Sequence, residues 1–297
     1  MRPLGIIGLG LLGSAMAERL KLAGYELVGW DVAADRRDAF VQLGGRAAGS
    51  AAEVAAACDT ILLSLPDSKI VEQVIAEIAP ELRDGMLIVD TTTGDPDAVE
   101  AIGQKPAEQG VSYLDATVAG SSAQAKQGDV IIMVGGDAAA YEAAGDLFGA
   151  LARQSFHVGP SGAGSRMKLV LNLVLGLNRA ALAEGLTFAE SLGLEPRRAL
   201  EILQSSAAYS RVMDSKGEKM LSADFTPQAR LSQHLKDVRL MLAAAARAGI
   251  ELPLSELHRT LLERAEEAGY GAADNSAIIE AFRPPRSPGN AGAQRDA

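Results

Sequence analysis

A short apolar run, Leu4-Gly5-Ile6-Ile7, leads directly into Gly8-Leu9-Gly10-Leu11-Leu12-Gly13, and the helix-like segment that follows ends near Gly24. No other feature restricts the fold as much. A strand that turns on glycine into a helix opens a parallel βαβ unit. Gly8 permits the tight turn, Gly10 lets a pyrophosphate approach the backbone, and Gly13 lets helix and strand pack closely. Leu11 and Leu12 then stand in the first helical turn, whose unpaired N–H groups attract an anion. The second strand ends at Asp31, close to the roughly 20-residue spacing at which a carboxylate meets the adenosine ribose of a dinucleotide. A carboxylate there repels a 2′-phosphate, which predicts NAD over NADP. Arg36 and Arg37 would form a phosphate clamp if their loop folded back, and are otherwise a solvated helix start.

Further β-rich runs at Glu26–Trp30, Thr60–Leu65, Leu87–Asp90, Val111–Leu114 and Val130–Val134 alternate with helical segments, the rhythm of a parallel α/β sheet of Rossmann type. Ser50 and Glu53 have capping-box spacing, and Gly24 and Gly44 sit where helices end. After Val158 the pattern changes. Gly159-Pro160-Ser161-Gly162-Ala163-Gly164 gives way to Met167–Leu192 without a strong breaker, a helix of about 39 Å at ~1.5 Å per residue. Its apolar positions run nearly all round, so burial on several sides is expected. Pro196–Ser205, Arg211–Leu221, Thr226–Ala248, Pro253–Ala268 and Asn275–Phe282 also read as helix. The expectation is an α/β Rossmann domain over residues 1–160 and an all-α domain over 161–283, joined by the long interdomain helix. Residues 284–297 lack apolar periodicity and are expected to be a disordered tail.

Composition removes several functions. The chain has 28 basic against 38 acidic side chains and a formal net charge of −10, which argues against a nucleic-acid partner. Cys58 is the single cysteine, and the three histidines, His157, His234 and His258, are scattered, so neither a disulfide nor a zinc-ligand cluster is expected. A reducing, cytoplasmic location follows. Asn172 breaks the longest apolar segment, Leu169–Leu177, and Lys168 and Arg179 flank it, so no membrane span is expected.

In sheets of this kind ligands sit beyond the carboxyl ends of the strands. Three such loops are unusual. Leu65-Pro66-Asp67 ends one strand with a rigid proline. Thr91-Thr92-Thr93-Gly94-Asp95-Pro96 ends another with three hydroxyls, of which one, with Asp95, could equally be a helix cap. The third, Asp115 to Gln124, is rich in small residues. Its Ala119-Gly120-Ser121-Ser122 stretch and Gln124 offer backbone and uncharged side-chain donors for a substrate carboxylate. Hydride exchange between an alcohol and a carbonyl also needs a group that moves one proton. Lys168 is the candidate, with Asn172 one helical turn later to orient it or to donate to the substrate oxygen. Apolar neighbours Met167, Leu169, Leu171 and Val174 would lower its proton affinity. Each residue alone reads equally well as a helix-surface or helix-bridging group, and Lys236-Asp237 reads as a charged helix face.

Taken in order, these residues resemble the β-hydroxyacid dehydrogenases, the group that includes 3-hydroxyisobutyrate dehydrogenase and tartronate semialdehyde reductase. The resemblance rests on the glycine motif, Asp115–Gly120, Ile132-Met133-Val134-Gly135-Gly136, and Gly159 through Asn172, and extends from Leu4 to about Phe282. It implies a homodimer or homotetramer and a small carboxylate-bearing substrate. It also implies Lys168 as the acid–base residue with Asn172 its partner, Leu65, Pro66 and Thr93 beside the cofactor, and Lys236 approaching cofactor and substrate from the helical domain. The implied activity is NAD-dependent interconversion of a small 3-hydroxy acid and its semialdehyde. One departure bears on substrate: Ala119-Gly120-Ser121 stands where the family usually has Ser-Gly-Gly, and Thr117 replaces a proline. Two alternatives stay open, a dehydrogenase or reductase with an atypical substrate, and a non-catalytic dinucleotide-binding scaffold. The presence of both Lys168 and Asn172 speaks against the scaffold.

Overall fold

Apolar runs of about four residues are too short for helices, and when buried on both faces they form the centre of a parallel sheet. The computed structural model describes residues 3–283, so the tail expected over 284–297 lies outside the described residues. The eight strands are β1 (Leu4–Ile7), β2 (Leu27–Trp30), β3 (Arg46–Ala47), β4 (Thr60–Leu63), β5 (Leu87–Asp90), β6 (Ser112–Ala119), β7 (Ile131–Gly135) and β8 (Gln154–Gly159). They lie in the order β3-β2-β1-β4-β5-β6-β7-β8. Side chains alternate between two apolar layers, Ile6, Leu62, Val89 and Leu114 on one face and Ile7, Leu63, Ile88 and Tyr113 on the other. The helices between these strands are α1 (Leu11–Leu22), α2 (Ala34–Gln42), α3 (Ala51–Ala57), α4 (Ser68–Ile78), α5 (Pro96–Ala107), α6 (Ser122–Gln127), α7 (Ala138–Ala143) and α8 (Gly145–Leu151).

The structure corrects the sequence reading in three places here. The sheet is mixed: β7 runs antiparallel to β6, with Asp115 opposite Gly135 and Ala119 opposite Ile131. That pairing carries β6 through Ala119, so the segment from Asp115 to Ala119 is strand and not loop. The strands β3 and β8 escape the periodicity because one has two residues and the other is a largely exposed edge strand without apolar alternation. At α3 the Ser50 hydroxyl accepts from Glu53 N (3.1 Å), but the Glu53 carboxylate reaches back to Gly49 N (2.8 Å) and not to Ser50, one residue short of a full capping box.

The chain divides into two compact units, Met1–Lys168 and Leu169–Ala297, within a single helix, α9 (Ala163–Ser191). At 29 residues α9 begins four residues before the expected start. Its first turn is held from the α/β unit, because the Asp115 carboxylate accepts from Gly162 N (3.0 Å) and Ser165 N (2.7 Å), and Thr117 Oγ1 donates to Gly164 O (2.9 Å). Of two expectations for this helix, burial on several sides is met in part within this chain, and a composition unable to span lipid is not met. Val170 and Val174 are more than half exposed and Met167 and Phe188 are exposed too, so α9 is not buried all round within this chain. It is also long and apolar enough to cross a membrane by composition, with mean hydropathy 1.4 over its best window. The core helix of a helical domain passes the same test, and Leu182, Ala183 and Leu186 lie fully within such a core.

The helical unit continues through α10 (Pro196–Gln204), α11 (Glu218–Ser222), α12 (Leu231–Arg247) and α13 (Pro253–Ala265), with a closing 3₁₀ segment Asn275–Ala281. Residues 226–230, expected to open α12, are not helical, and Arg230 bridges Asp274. Asp274, fully buried, binds the Lys216 ammonium through both oxygens (2.8 and 2.9 Å) and accepts from the amides of Gln228, Ala229 and Ser276. Burial alone would raise its pKa, but these donors outweigh it and hold the carboxyl well below the usual range.

Candidate active site at the carboxyl edge of the sheet

Strands β1, β2, β4, β5 and β6 run parallel, so the segments leaving them share one edge. The glycine turn lies there. Gly8, at φ +95°, passes so close to the Ser64 carbonyl that a Cβ would collide with it, and a Cβ at Gly13 would strike the Gly8 carbonyl. Gly10 differs: a Cβ there would find only the Arg36 Nη1, 3.9 Å away. Gly10 also precedes α1 without a side-chain cap, and the first turn of α1 has no acidic residue. Leu11 and Leu12 therefore open a helix with no side-chain cap and with open space beside Gly10, which fits a pyrophosphate.

The neighbouring carboxylate is Asp31, nearly buried. Its Oδ2 accepts from Leu9 N (2.8 Å) and from Arg36 Nη1 (3.3 Å), and its Oδ1 accepts from Ala33 N (2.9 Å). Arg37 donates to the Asp31 carbonyl at 2.6 Å. Asp31 thus touches the glycine turn directly, and the residues present fit a dinucleotide.

Next along the edge, the segments after β4 and β5 are laced together. Thr91 Oγ1 donates to Leu63 O (2.7 Å), Leu65 N donates to Thr92 Oγ1 (3.1 Å), and Asp95 N donates to Ser68 Oγ (3.0 Å). Asp67 caps α4 and Asp95 caps α5. Pro66 is exposed, and Thr93 is half-buried and outside this lacing. Beneath lies Asp90, 1% exposed, which accepts from Thr92 N (2.9 Å) and from the Tyr113 hydroxyl (2.6 Å). Burial, opposed by these donors, pushes its pKa up to about 6.

The last strand end carries the lysine. Asp90 pairs with Asp115, so Ala116–Ala119 outrun β5, and Val118 stands about 10 Å past that pair at ~3.3 Å per residue. There the half-buried Lys168 Nζ donates to Val118 O at 2.7 Å. The apolar surroundings expected for Lys168 are incomplete, since Met167 and Val174 are exposed. After Ala119 and Gly120, Ser121 forms a full capping box with Gln124 at the start of α6, accepting from Gln124 N (3.2 Å) while its own amide donates to Gln124 Oε1 (2.9 Å). Ser121 and Gln124 are thus engaged with each other, and Ser122 is the first residue of α6.

The α/β unit therefore brings together Gly8, Gly10, Gly13, Asp31, Leu65, Thr93, Gly120, Ser122 and Lys168 along one edge. Asn172 and Lys236 belong to the helical unit. Asn172 is buried and its Nδ2 donates to Asp237 Oδ2 (3.1 Å), and Lys236 lies half-buried on α12. Sequence reasoning missed Asp90, Asp115, Thr117 and Asp237 as organising groups. An acid closing an apolar strand, as in Leu-Ile-Val-Asp90, is the signal that could have found the first. An open cavity of about 860 Å³ lined by Glu100, Tyr113, Asp137 and His157 contains none of the candidate residues.

Residues 3–159 match the family described as the NAD binding domain of 6-phosphogluconate dehydrogenase, and residues 162–282 match the NAD-binding domain of NADP-dependent 3-hydroxyisobutyrate dehydrogenase. The chain belongs to the β-hydroxyacid dehydrogenase family. L-threonate dehydrogenase of Cupriavidus necator is 32% identical over 98% of this chain and 99% of its own. The 2-(hydroxymethyl)glutarate dehydrogenase of Eubacterium barkeri is 34% identical over 94% of each chain. A solved structure of Mycobacterium tuberculosis 3-hydroxyisobutyrate dehydrogenase with L-serine superposes with a TM-score of 0.89 at 25% identity, covering 96% of this chain and 100% of that one. The family is one of NAD(P)-dependent oxidoreductases, and this β-hydroxyacid dehydrogenase homologue shares its Rossmann sheet and helical C-terminal region.

Proposed function

We propose that the chain interconverts a small 3-hydroxy acid and its semialdehyde, with NAD as cofactor and Lys168 as the acid–base residue. The observation that carries this reading is the Lys168 Nζ on Val118 O, at the same sheet edge as the uncapped glycine turn. The bound dinucleotide supplies or accepts the hydride. As the alcohol is oxidised, the neutral amine of Lys168 takes the hydroxyl proton; in reduction the ammonium returns it to the carbonyl oxygen. The backbone at Gly120 and the hydroxyl of Ser122, at the start of α6, bind the substrate carboxylate, with Ser121 held in its capping box with Gln124. Leu65, Pro66 and Thr93 flank the nicotinamide, while Gly8, Gly10, Leu11, Leu12 and Gly13 hold the pyrophosphate and Asp31 the ribose. NAD is favoured because the buried Asp31 carboxylate occupies the position a 2′-phosphate would approach and already pairs with Arg36. The apolar side chains exposed along α9, among them Val170, Val174 and Leu175, support a homodimer or homotetramer, which light scattering tests.

Nicotinamide absorbance with 3-hydroxy acids and semialdehydes tests the reaction. Lys168→Ala is expected to lower turnover at least about 100-fold, and equal turnover by the two proteins removes Lys168 from the mechanism. Asp31→Ala is expected to narrow the preference for NAD over NADP; an unchanged ratio assigns recognition to other residues.

A further inference from the structure

A buried carboxylate is expensive, and an apolar strand needs none to pack. Asp90 nevertheless closes β5 in the sheet's interior, and its bonds lead outward in one direction. Its Oδ2 is fixed by Tyr113 from β6, and its Oδ1 holds the amide of Thr92. The Thr92 hydroxyl in turn accepts from Leu65 N. Leu65 follows Ser64, whose amide donates to Ile7 O (3.0 Å) and whose carbonyl lies against Gly8. One carboxylate thus governs the bonds from β5 to Leu65 after β4, beyond which only the backbone ladder of the sheet reaches the glycine turn. Asp90 is too deeply buried to touch a ligand itself.

Resting on the reading above, we infer that Asp90 is a positioning residue: through Thr92 it fixes the Leu65 amide, and so shapes the two segments that face the nicotinamide end of the dinucleotide. Its influence should stop short of the adenosine end, which Asp31 and α1 hold independently of this chain of bonds. The consequence is a split between ligands that a general loss of stability would not produce.

Calorimetric titration with NAD and with ADP-ribose, which lacks the nicotinamide, reads that split directly. Thr92→Val removes the hydroxyl that accepts from Leu65 N and itself bonds the Asp90 carboxylate, and Asp90→Asn weakens the anchor beneath it. Both are expected to raise the NAD dissociation constant about fivefold or more, the size of one lost hydrogen bond, while ADP-ribose affinity stays within about twofold. Thr92→Ser, which keeps the hydroxyl, is expected to restore NAD affinity. Equal weakening of both ligands, or no weakening of NAD, overturns the inference, and Thr92→Val decides the matter alone should Asp90→Asn fail to fold. A wild-type protein that binds neither ligand overturns the underlying dehydrogenase reading instead, a result distinguishable from variants that bind like wild type.

Discussion

The two units bury charge in different ways. In the α/β unit two buried carboxylates, Asp90 at the end of β5 and Asp115 within β6, are held by backbone amides and hydroxyls without a cation. In the helical unit, cations and histidines enter the core. Lys216 pairs with Asp274, Arg179 is buried on α9, and His234 and His258 pack with ring centroids 5.2 Å apart. Strand ends and helix starts expose amides, so an α/β edge can hold a carboxylate without a counter-ion. A helix interior has its amides already bonded, so the Lys216 ammonium there pairs with a side chain, Asp274, which amides outside the helices also hold. The unit with the amides at its edge is also the one that carries the glycine turn and Lys168.

The largest test of this contrast removes the side-chain solution. Asp274→Asn leaves the Lys216 ammonium buried without its charge partner, and a loss of about 3–5 kcal/mol is expected, confined to the helical unit. Hydrogen exchange resolved by segment checks it, and a loss shared equally by the sheet would break the comparison.

Acidification gives the next effect, with opposite signs in the two units. Burial, with the nearby Arg179 charge, depresses the His258 pKa to about 4. Its neutral form is favoured by folding, so its contribution is complete above ~6.5 and is lost as pH falls toward about 4, a change of about 3 kcal/mol. Asp90, with its pKa raised to about 6, behaves oppositely: its protonated form is favoured by folding, so stability is gained as pH falls from about 6 toward ~3.8. Between pH 7 and 4.5 the helical amides should lose protection relative to those of the sheet. Parallel loss in both units would contradict this assignment. The smallest effect sharpens the same point, since Ser121→Ala should cost about 1 kcal/mol through the cap of α6 and leave the helical unit unchanged in thermal unfolding.

Local spacing made part of this molecule readable. The three glycines after β1 and Asp31 after β2 depend on neighbours in sequence and lie where the pattern placed them, whereas the two units divide within α9, past the break at Gly159–Gly164. Contacts across the chain did not announce themselves. The extension of β6 depends on an antiparallel partner that arrives after α6, and the polar edge strand β8 has no periodicity to detect. Asn172 and Asp237 are 65 residues apart, and Asp115 meets Ser165 across 50. Short-range periodicity cannot register such pairs, which is why Lys168 stood out by residue type while the extension of β6 that holds it went unrecognised.

The overhang of β6 makes that strand a ruler. Its free length beyond β5 sets how far the amine is carried from the sheet, while Asp115 at its root grips the helix from which the amine projects. Deleting one residue between Asp115 and Val118 would turn every later side chain to the opposite face and draw the Val118 carbonyl back toward the sheet. The glycine turn would survive such a deletion, leaving a protein whose dinucleotide cradle is intact while Lys168 sits at the wrong reach.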